Sequence, residues 1–254
     1  MISIASGSKG NCTLIMSSKT AILCDAGIST ARISSALKNL GMSLSDLSGV
    51  VVTHEHNDHI AALPTLTRYV PVYAHELTAR AIYEKQGVLK NYKPVDFYEN
   101  GFYIGDIEVT PFRIPHDAEY PLGYTFSCEN KRVSVATDMG VLKKNVYENV
   151  RDSGAVLLES NHDVEMLKEG SYPPYLKARI LGNNGHLSND AAALMASHLV
   201  GTSVQTLVLG HISENNNTTE KALCAVKKVL DEASAKINLC AATQYCVSSV
   251  FEVK

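Results

Sequence analysis

Within six consecutive positions, His54-Glu55-His56-Asn57-Asp58-His59, the chain sets three imidazoles and a carboxylate in the pattern H-x-H-x-D-H, directly after the apolar run Val50-Val51-Val52. Imidazole together with carboxylate suits zinc, manganese or iron better than calcium or magnesium. Such groups are costly to bury unless they are paired or metal-bound. Residues two apart on an extended segment point the same way, so His54 and His56 can grip one ion. Asp58 and His59, past the bend, can grip a second. The bland alternative is a charged surface loop. Nine histidines in 254 residues is ordinary usage, but three of them with an aspartate in one hexapeptide is not.

Two ions about 3.5–4 Å apart need further ligands. His116 follows the apolar run from Val109 to Ile114, Asp138 follows Val133 to Thr137, and His211 follows Leu207-Val208-Leu209-Gly210. Each stands where an apolar run stops. Sheet proteins build their sites at strand ends facing one rim, so the repetition points to convergence on a single cleft. His162 also follows a strand-like run. It is read either as a cleft residue touching metal or phosphate, or as a histidine at a helix N-terminus. His75 and His198 lie outside the pattern and are read as structural.

The elements that must position these residues follow from pattern. Residues 2–5, 12–16 and 20–24 read as short strands separated by Gly-, Ser- and Asn-rich turns. Ser29 or Thr30 caps a helix with Ile33, Leu37 and Leu40 at helical spacing, stopped by Gly41. A buried strand at 50–53 leads into the hexapeptide. Residues 57–69 read as a helix broken or restarted at Pro64, 71–74 as a strand and 76–86 as a helix ending at Gly87. Strands follow near 102–104, 107–114, 122–128 and 131–136, then a helix near 141–150 and a strand at 154–159. Residues 162–182 are irregular or helical, interrupted by Pro173-Pro174. A helix at 189–199, a strand at 205–210, a helix at 217–233 and two closing strands near 236–242 and 246–252 complete the chain. That order fits two packed sheets with helices outside, in one domain spanning residues 1–254.

Hydrophobic residues make up 45% of the chain, enough for a sizeable core, and the net charge is −3. There is therefore no global cationic field to attract nucleic acid. Any polyanion must be held by metals and a local patch, for which Lys131-Arg132 and Lys143-Lys144 are the candidates. No basic and aromatic stripe suggests a stacking platform. Cys12, Cys24, Cys128, Cys224, Cys240 and Cys246 form no C-x-x-C pair and read as reduced core residues of a cytoplasmic protein. The first residues lack the basic and apolar regions of a signal peptide. No apolar run approaches the roughly 18–20 residues that span a bilayer.

Asp25, the H-x-H-x-D-H run, His116, Asp138 and His211 fall in the order and spacing of the metallo-β-lactamase superfamily, which the chain resembles along essentially its whole length. The resemblance implies an α/β fold, an αββα sandwich of two mixed sheets flanked by helices. It also implies two divalent metals, zinc first and manganese second. His54, His56 and His116 would hold one, Asp58, His59 and His211 the other, and Asp138 would bridge them. Asp25 would sit behind the ligands, fixing a loop or an imidazole. A hydroxide formed between the metals would attack the substrate.

Gly185-His186-Leu187-Ser188-Asn189, Leu207 to Ser213, and Pro115-His116 with Gly123-Tyr124 resemble the phosphodiesterase branch that includes ribonuclease Z. That resemblance makes His186 the group that protonates or stabilises the leaving oxygen, with Ser188 as a phosphate contact. The branch has Ser-Thr directly after the histidine; here Leu187 intervenes. Ser6-Gly7-Ser8-Lys9-Gly10-Asn11, His116-Asp117-Ala118, Thr137-Asp138-Met139-Gly140, Glu159-Ser160-Asn161-His162-Asp163 and Asn215-Asn216-Asn217 resemble the YycJ-like (WalJ) group of bacterial nucleases. That group implies 5′-to-3′ exonuclease activity on DNA, with a role in DNA maintenance or mismatch repair. Ser8 and Asn11 would line the cleft from a Gly-rich hairpin loop. The expected partner is nucleic acid, DNA before RNA, with no membrane; a homodimer is compatible. The alternatives are a hydrolase of the same fold acting on RNA, a small phosphodiester or a thioester, and a non-catalytic metal-binding regulatory protein.

Overall fold

The computed structural model describes residues 1–87, 90–95 and 101–253. Two sheets lie face to face. The first runs in the order β1 (Ile2–Ala5), β2 (Cys12–Met16), β3 (Ala21–Cys24), β4 (Gly49–Val51), β5 (Val72–Ala74), β6 (Tyr92–Pro94). β1 to β3 form an antiparallel meander, and β3 to β6 are parallel. The second sheet repeats the plan: β7 (Phe102–Ile104), β8 (Ile107–Arg113), β9 (Leu122–Cys128) and β10 (Lys131–Ala136) are antiparallel. β11 (Ala155–Glu159), β12 (Thr206–Gly210) and β13 (Asn238–Ala241) then add in parallel.

Both faces of the inner parallel strands are buried, which is why their sequences read as unbroken apolar runs. In β12, Leu207 and Leu209 face the outer helices while Val208 faces the other sheet; in β3, Leu23 faces out and Ile22 and Cys24 face in. The inter-sheet layer therefore holds Ile22, Val51, Tyr124, Val135, Leu157 and Val208. Helices α1 (Thr30–Asn39), α2 (Asn57–Ile60), α3 (Leu63–Leu66) and α4 (Glu76–Gln86) belong to the first half of the chain; α5 (Lys144–Val150), α6 (Val164–Glu169), α7 (Pro174–Leu181), α8 (Asn189–Leu199) and α9 (Thr219–Glu232) belong to the second. The outer cores join α1, α3 and α4 to the first sheet and α5, α8 and α9 to the second. This is the expected αββα sandwich.

Local chemistry sets the boundaries. Ser29 caps α1 by accepting from the Arg32 amide, and Gly41 leaves the helix region with φ +74°. Pro64 sits in the first turn of α3, so the 57–69 segment restarts there as expected. Pro173 and Pro174 likewise open α7, and the segment left as irregular or helical resolves into α6 and α7. Two elements escaped the pattern reading, β6 and a single 3-10 turn at Leu44–Asp46. Each spans three residues, too short to show a period.

The strand expected near 246–252 is not formed. The Ser248 amide donates to Ser3 O (2.8 Å) and the Phe251 amide to Met1 O (2.9 Å), but the Ser3 amide donates to the Ser248 hydroxyl (2.9 Å). A side chain thus takes the place of a backbone acceptor and interrupts the ladder. The tail still covers the β1 edge, which would otherwise expose unpaired backbone groups. Cys224 and Cys246 are exposed, not core residues, and no disulfide occurs among the described residues.

The loop after β3 carries the tightest packing near the ligands. The Asn11 amide donates to Asp58 O (2.7 Å), the Gly27 amide to Asn11 O (2.8 Å) and the Ala26 amide to His59 O (2.8 Å). A Cβ on Gly27 would run into the Asp58 carbonyl and the Asn11 amide. Backbone there cannot give way as a flexible side chain could. Gly27→Ala is therefore expected to cost about 1–3 kcal/mol and to lower metal retention by displacing Asp58. Thermal unfolding and metal content measured on the same preparation check this; wild-type values for both would remove the constraint.

Candidate metal centre

The ligand candidates meet at one rim, where the parallel strands of both sheets end. Three residues there, Asp25 after β3, Asp138 after β10 and His211 after β12, adopt left-handed backbone with φ of +61°, +61° and +54°. None is glycine, so each costs about 1–3 kcal/mol of strain. The conformation breaks the strand and turns the chain sharply at the rim. The His54 to His59 hexapeptide follows β4 in the same way, with His56 preceding the single turn of α2.

Ligand atoms of His54, His56 and His116 lie within 4.8 Å of one another, as do those of Asp58, His59 and His211. Asp138 joins both neighbourhoods, being grouped with His54 and His59 and also with His211. His54 Nε2 and Asp138 Oδ2 are fully buried and have no hydrogen-bond partner. Orphaned donors and acceptors of this kind are rare in a protein interior, and a cation among them would satisfy both. Nitrogen and carboxylate oxygen in two convergent sets fit a pair of zinc or manganese ions.

Hydrogen bonds behind the ligands select which ring nitrogen faces the cluster. His59 Nδ1 lies 2.7 Å from Asp25 Oδ2, His54 Nδ1 2.9 Å from the Thr53 hydroxyl, His116 Nδ1 3.1 Å from Gly185 O, and His211 Nδ1 3.0 Å from Glu159 Oε1. Each of those four rings thus turns Nε2 inward, whereas His56 presents Nδ1, 3.2 Å from His116 Nε2. Asp25 stands behind His59 and also accepts from the Thr53 amide and hydroxyl.

His186 stands beside this cluster, with its ring 5.2 Å from that of His116 and 5.1 Å from that of His211. Its Nδ1 is 2.7 Å from Glu159 Oε1. The other Glu159 oxygen accepts from the amides of Met139 (2.7 Å) and Leu187 (3.1 Å). Sequence reading missed this glutamate as a functional residue. Its signal was the same as for Asp138 and His211, an ionisable residue at the end of an apolar run. His162 is buried, lies outside the ligand groups and has neither ring nitrogen hydrogen-bonded. The Ser188 hydroxyl caps α8 by accepting from the Ala191 amide (3.2 Å). The Asn11 side-chain nitrogen Nδ2 reaches the second ligand set, 3.1 Å from His59 Nε2 and 3.3 Å from Asp58 Oδ2.

A cleft of about 300 Å³ opens over the cluster, lined by Ser8, His56, Asp58, Lys85, Asp138, Arg179, His186 and His211 among others. A larger cavity of about 420 Å³, between Met1, Phe126, Lys131 and Phe251, contains none of the ligands. The basic pairs expected to serve the site do not line the cleft. Lys131 and Arg132 begin β10, whose other end leads to Asp138, and Arg132 faces Asp152. Lys144 pairs with Glu148 along α5.

Charge divides the two ligand sets. Burial, reinforced by neighbouring imidazoles, pushes His54 well below the usual histidine range and lowers His56 and His116. Burial acts the same way on His59 and His211, but carboxylates outweigh it. Asp138, Asp25 and Asp58 hold His59 well above its ordinary value, and Asp138, Asp58 and Glu159 raise His211 to about 10. Asp58 and Asp138 are pulled below the ordinary carboxylate range by these imidazoles, despite burial. Without metal, the first set is neutral at physiological pH and the second carries protons on His59 and His211. Metal ligation removes a proton from each. Loading both sites near neutral pH is expected to release about two protons per chain, and apparent affinity should fall as pH is lowered. Calorimetry in buffers of different ionisation enthalpy measures the release; uptake without proton release would contradict the charge assignment.

Residues 20–212 match the family model described as a β-lactamase superfamily domain. The chain is 37% identical to exodeoxyribonuclease YycJ of Bacillus anthracis over 90% of its own length and 88% of the relative's. It is 34% identical to exodeoxyribonuclease WalJ of Streptococcus pneumoniae, covering 93% and 90%. The metallo-β-lactamase fold protein YhfI from Bacillus subtilis superposes with a TM-score of 0.72 over 98% of both chains, at 15% identity, a likeness of fold. The strand-end ligand cluster and these matches have one reading: the chain belongs to the metallo-β-lactamase superfamily and, within it, to the YycJ/WalJ family.

Proposed function

We propose that this chain is a dinuclear metal-dependent exonuclease that degrades DNA from the 5′ end. The observation that carries the reading is the Glu159–His186 pair standing beside two convergent ligand sets, in a family whose named relatives are exodeoxyribonucleases. His54, His56 and His116 would hold one ion and Asp58, His59 and His211 the other, with Asp138 between. Two divalent ions, when bound, supply Lewis acidity toward a phosphate oxygen and acidify a water molecule.

The chain's own residues supply the rest. Asp138 accepts a hydrogen bond from the attacking water and so orients it in line with the scissile bond. Glu159 accepts from His186 Nδ1–H and fixes the orientation of the ring; as the acid, His186 acts in its doubly protonated form, whose second proton sits on Nε2. Two backbone amides keep that carboxylate from rotating away. Burial would raise Glu159, but the imidazoles of His186 and His211 bring it down to about 2, so it stays anionic. As the ester bond breaks, the departing oxygen takes the Nε2 proton. Carbonyl-ester or thioester hydrolysis has less need of an acid at that position, which favours the phosphodiester substrate.

Zinc is the first expectation for the resident metal and manganese the second. The unpaired cysteines of the described residues support a reducing, cytoplasmic setting, and the process proposed for the activity is DNA maintenance such as mismatch repair, as the family resemblance implies. No helix among the described residues is long and apolar enough to cross a membrane.

Metal analysis by mass spectrometry, combined with end-labelled DNA and RNA under zinc, manganese and magnesium, tests the proposal. Mononucleotide release from the 5′ end of DNA is expected, with RNA a poorer substrate. His56→Ala and Asp58→Ala should lose turnover together with metal. His186→Ala should keep its metal and lose about 10²–10⁴-fold in rate, and Glu159→Gln about 10–100-fold. Full activity in chelator-stripped protein would overturn the scheme.

A further inference from the structure

A polymer held at this cleft presents phosphates on both sides of the one being cleaved. The metals cannot hold those as well. Asp25, Asp58, Asp138 and Glu159 are grouped around the ligand sets or directly behind them, and their charge cancels that of two divalent ions. The chain's net charge of −3 offers no general attraction. Several of its cations are also paired away from the cleft: Lys9 with Glu214, Lys144 with Glu148 and Lys221 with Asp163.

Two cations differ. Lys85, on α4, and Arg179, on α7, both line the cleft beside the ligands. Each is tethered through one donor to the residue next to a ligand. Lys85 Nζ donates to the backbone oxygen of Glu55, between His54 and His56, at 3.0 Å. Arg179 Nε donates to Asp117, adjacent to His116, at 2.5 Å. A carbonyl partner leaves the Lys85 charge unneutralised with two donors to spare, and Arg179 keeps the four N–H groups of its terminal nitrogens. The tethers hold the heads in place before substrate arrives, which lowers the ordering cost of binding. One helix belongs to the first half of the sandwich and the other to the second, so the cations approach the cleft from both halves.

We propose that Lys85 and Arg179 clamp the DNA phosphates flanking the scissile one, setting affinity for the polymer and not the rate of bond cleavage. The proposal rests on the nuclease reading, but its decisive measurement does not need turnover. Binding of a fluorescent duplex oligonucleotide is followed by anisotropy across a salt series, on a His186→Ala background. Lys85→Ala and Arg179→Ala should each weaken binding about three- to tenfold and lower the salt slope by about one. Lys144→Ala removes the same charge outside the cleft and should change neither. In the active enzyme, KM for DNA should rise in both variants while kcat holds, and bis(p-nitrophenyl) phosphate, which has no flanking phosphates, should be hydrolysed as by wild type. Arg179→Lys, which keeps the charge, should recover part of the affinity. Unchanged slopes in a folded Lys85→Ala/Arg179→Ala protein would overturn the clamp. A wild-type protein that binds DNA with the expected slopes but never cleaves it would overturn the nuclease reading and leave the clamp standing.

Discussion

Imidazoles and carboxylates stay buried together only when their charges cancel, and the rim of this sandwich is organised around that requirement. Removing such groups from water costs several kcal/mol per ion unless partners compensate. Without metal, protons on His59 and His211 offset part of the charge of Asp25, Asp58, Asp138 and Glu159. Two divalent cations would replace those protons and satisfy the orphaned atoms of His54 and Asp138 as well. The same balance links metal uptake to pH and lowers the barrier to bringing a polyanion near so many carboxylates.

The scaffold makes this possible by stiffness. Two sheets share a packed inter-sheet layer, and the outer helices lock the opposite faces. Against that rigidity, Asp25, Asp138 and His211 hold left-handed backbone that would not persist in a loose loop. The second tier of contacts does comparable work. Thr53 connects Asp25 to His54, and Glu159 connects His211 to His186, so a metal ligand and the proposed acid share one carboxylate. A disturbance at Glu159 therefore reaches both metal affinity and proton delivery.

Much of this was legible from residue order. Alternation and apolar runs located nearly all the strands, and cap residues such as Ser29 and Gly41 located helix ends, because those signals are local. The candidate ligands stood out because metal chemistry accepts few side-chain types and places them where strands stop. The unformed strand at 246–252 shows the limit. Its Val247, Val250 and Phe251 are strand-forming residues, yet a serine hydroxyl facing Ser3 replaced a backbone acceptor, and no pattern along one segment reveals its neighbour. Glu159 shows another. A glutamate ending a strand is common, and only the approach of His186 and His211 makes this one a shared acceptor.

By itself, then, the order of residues determined the layers, the family and the residues proposed as ligands, because burial period and metal preference are written in side-chain type and spacing. The tertiary structure decided the matters that depend on distance between remote positions. It paired Glu159 with His186, turned Lys131 and Arg132 away from the cleft, and brought Lys85 and Arg179 to it. Electrostatic and hydrogen-bond energies depend on separations of a few ångströms, and those are set by how the two halves pack.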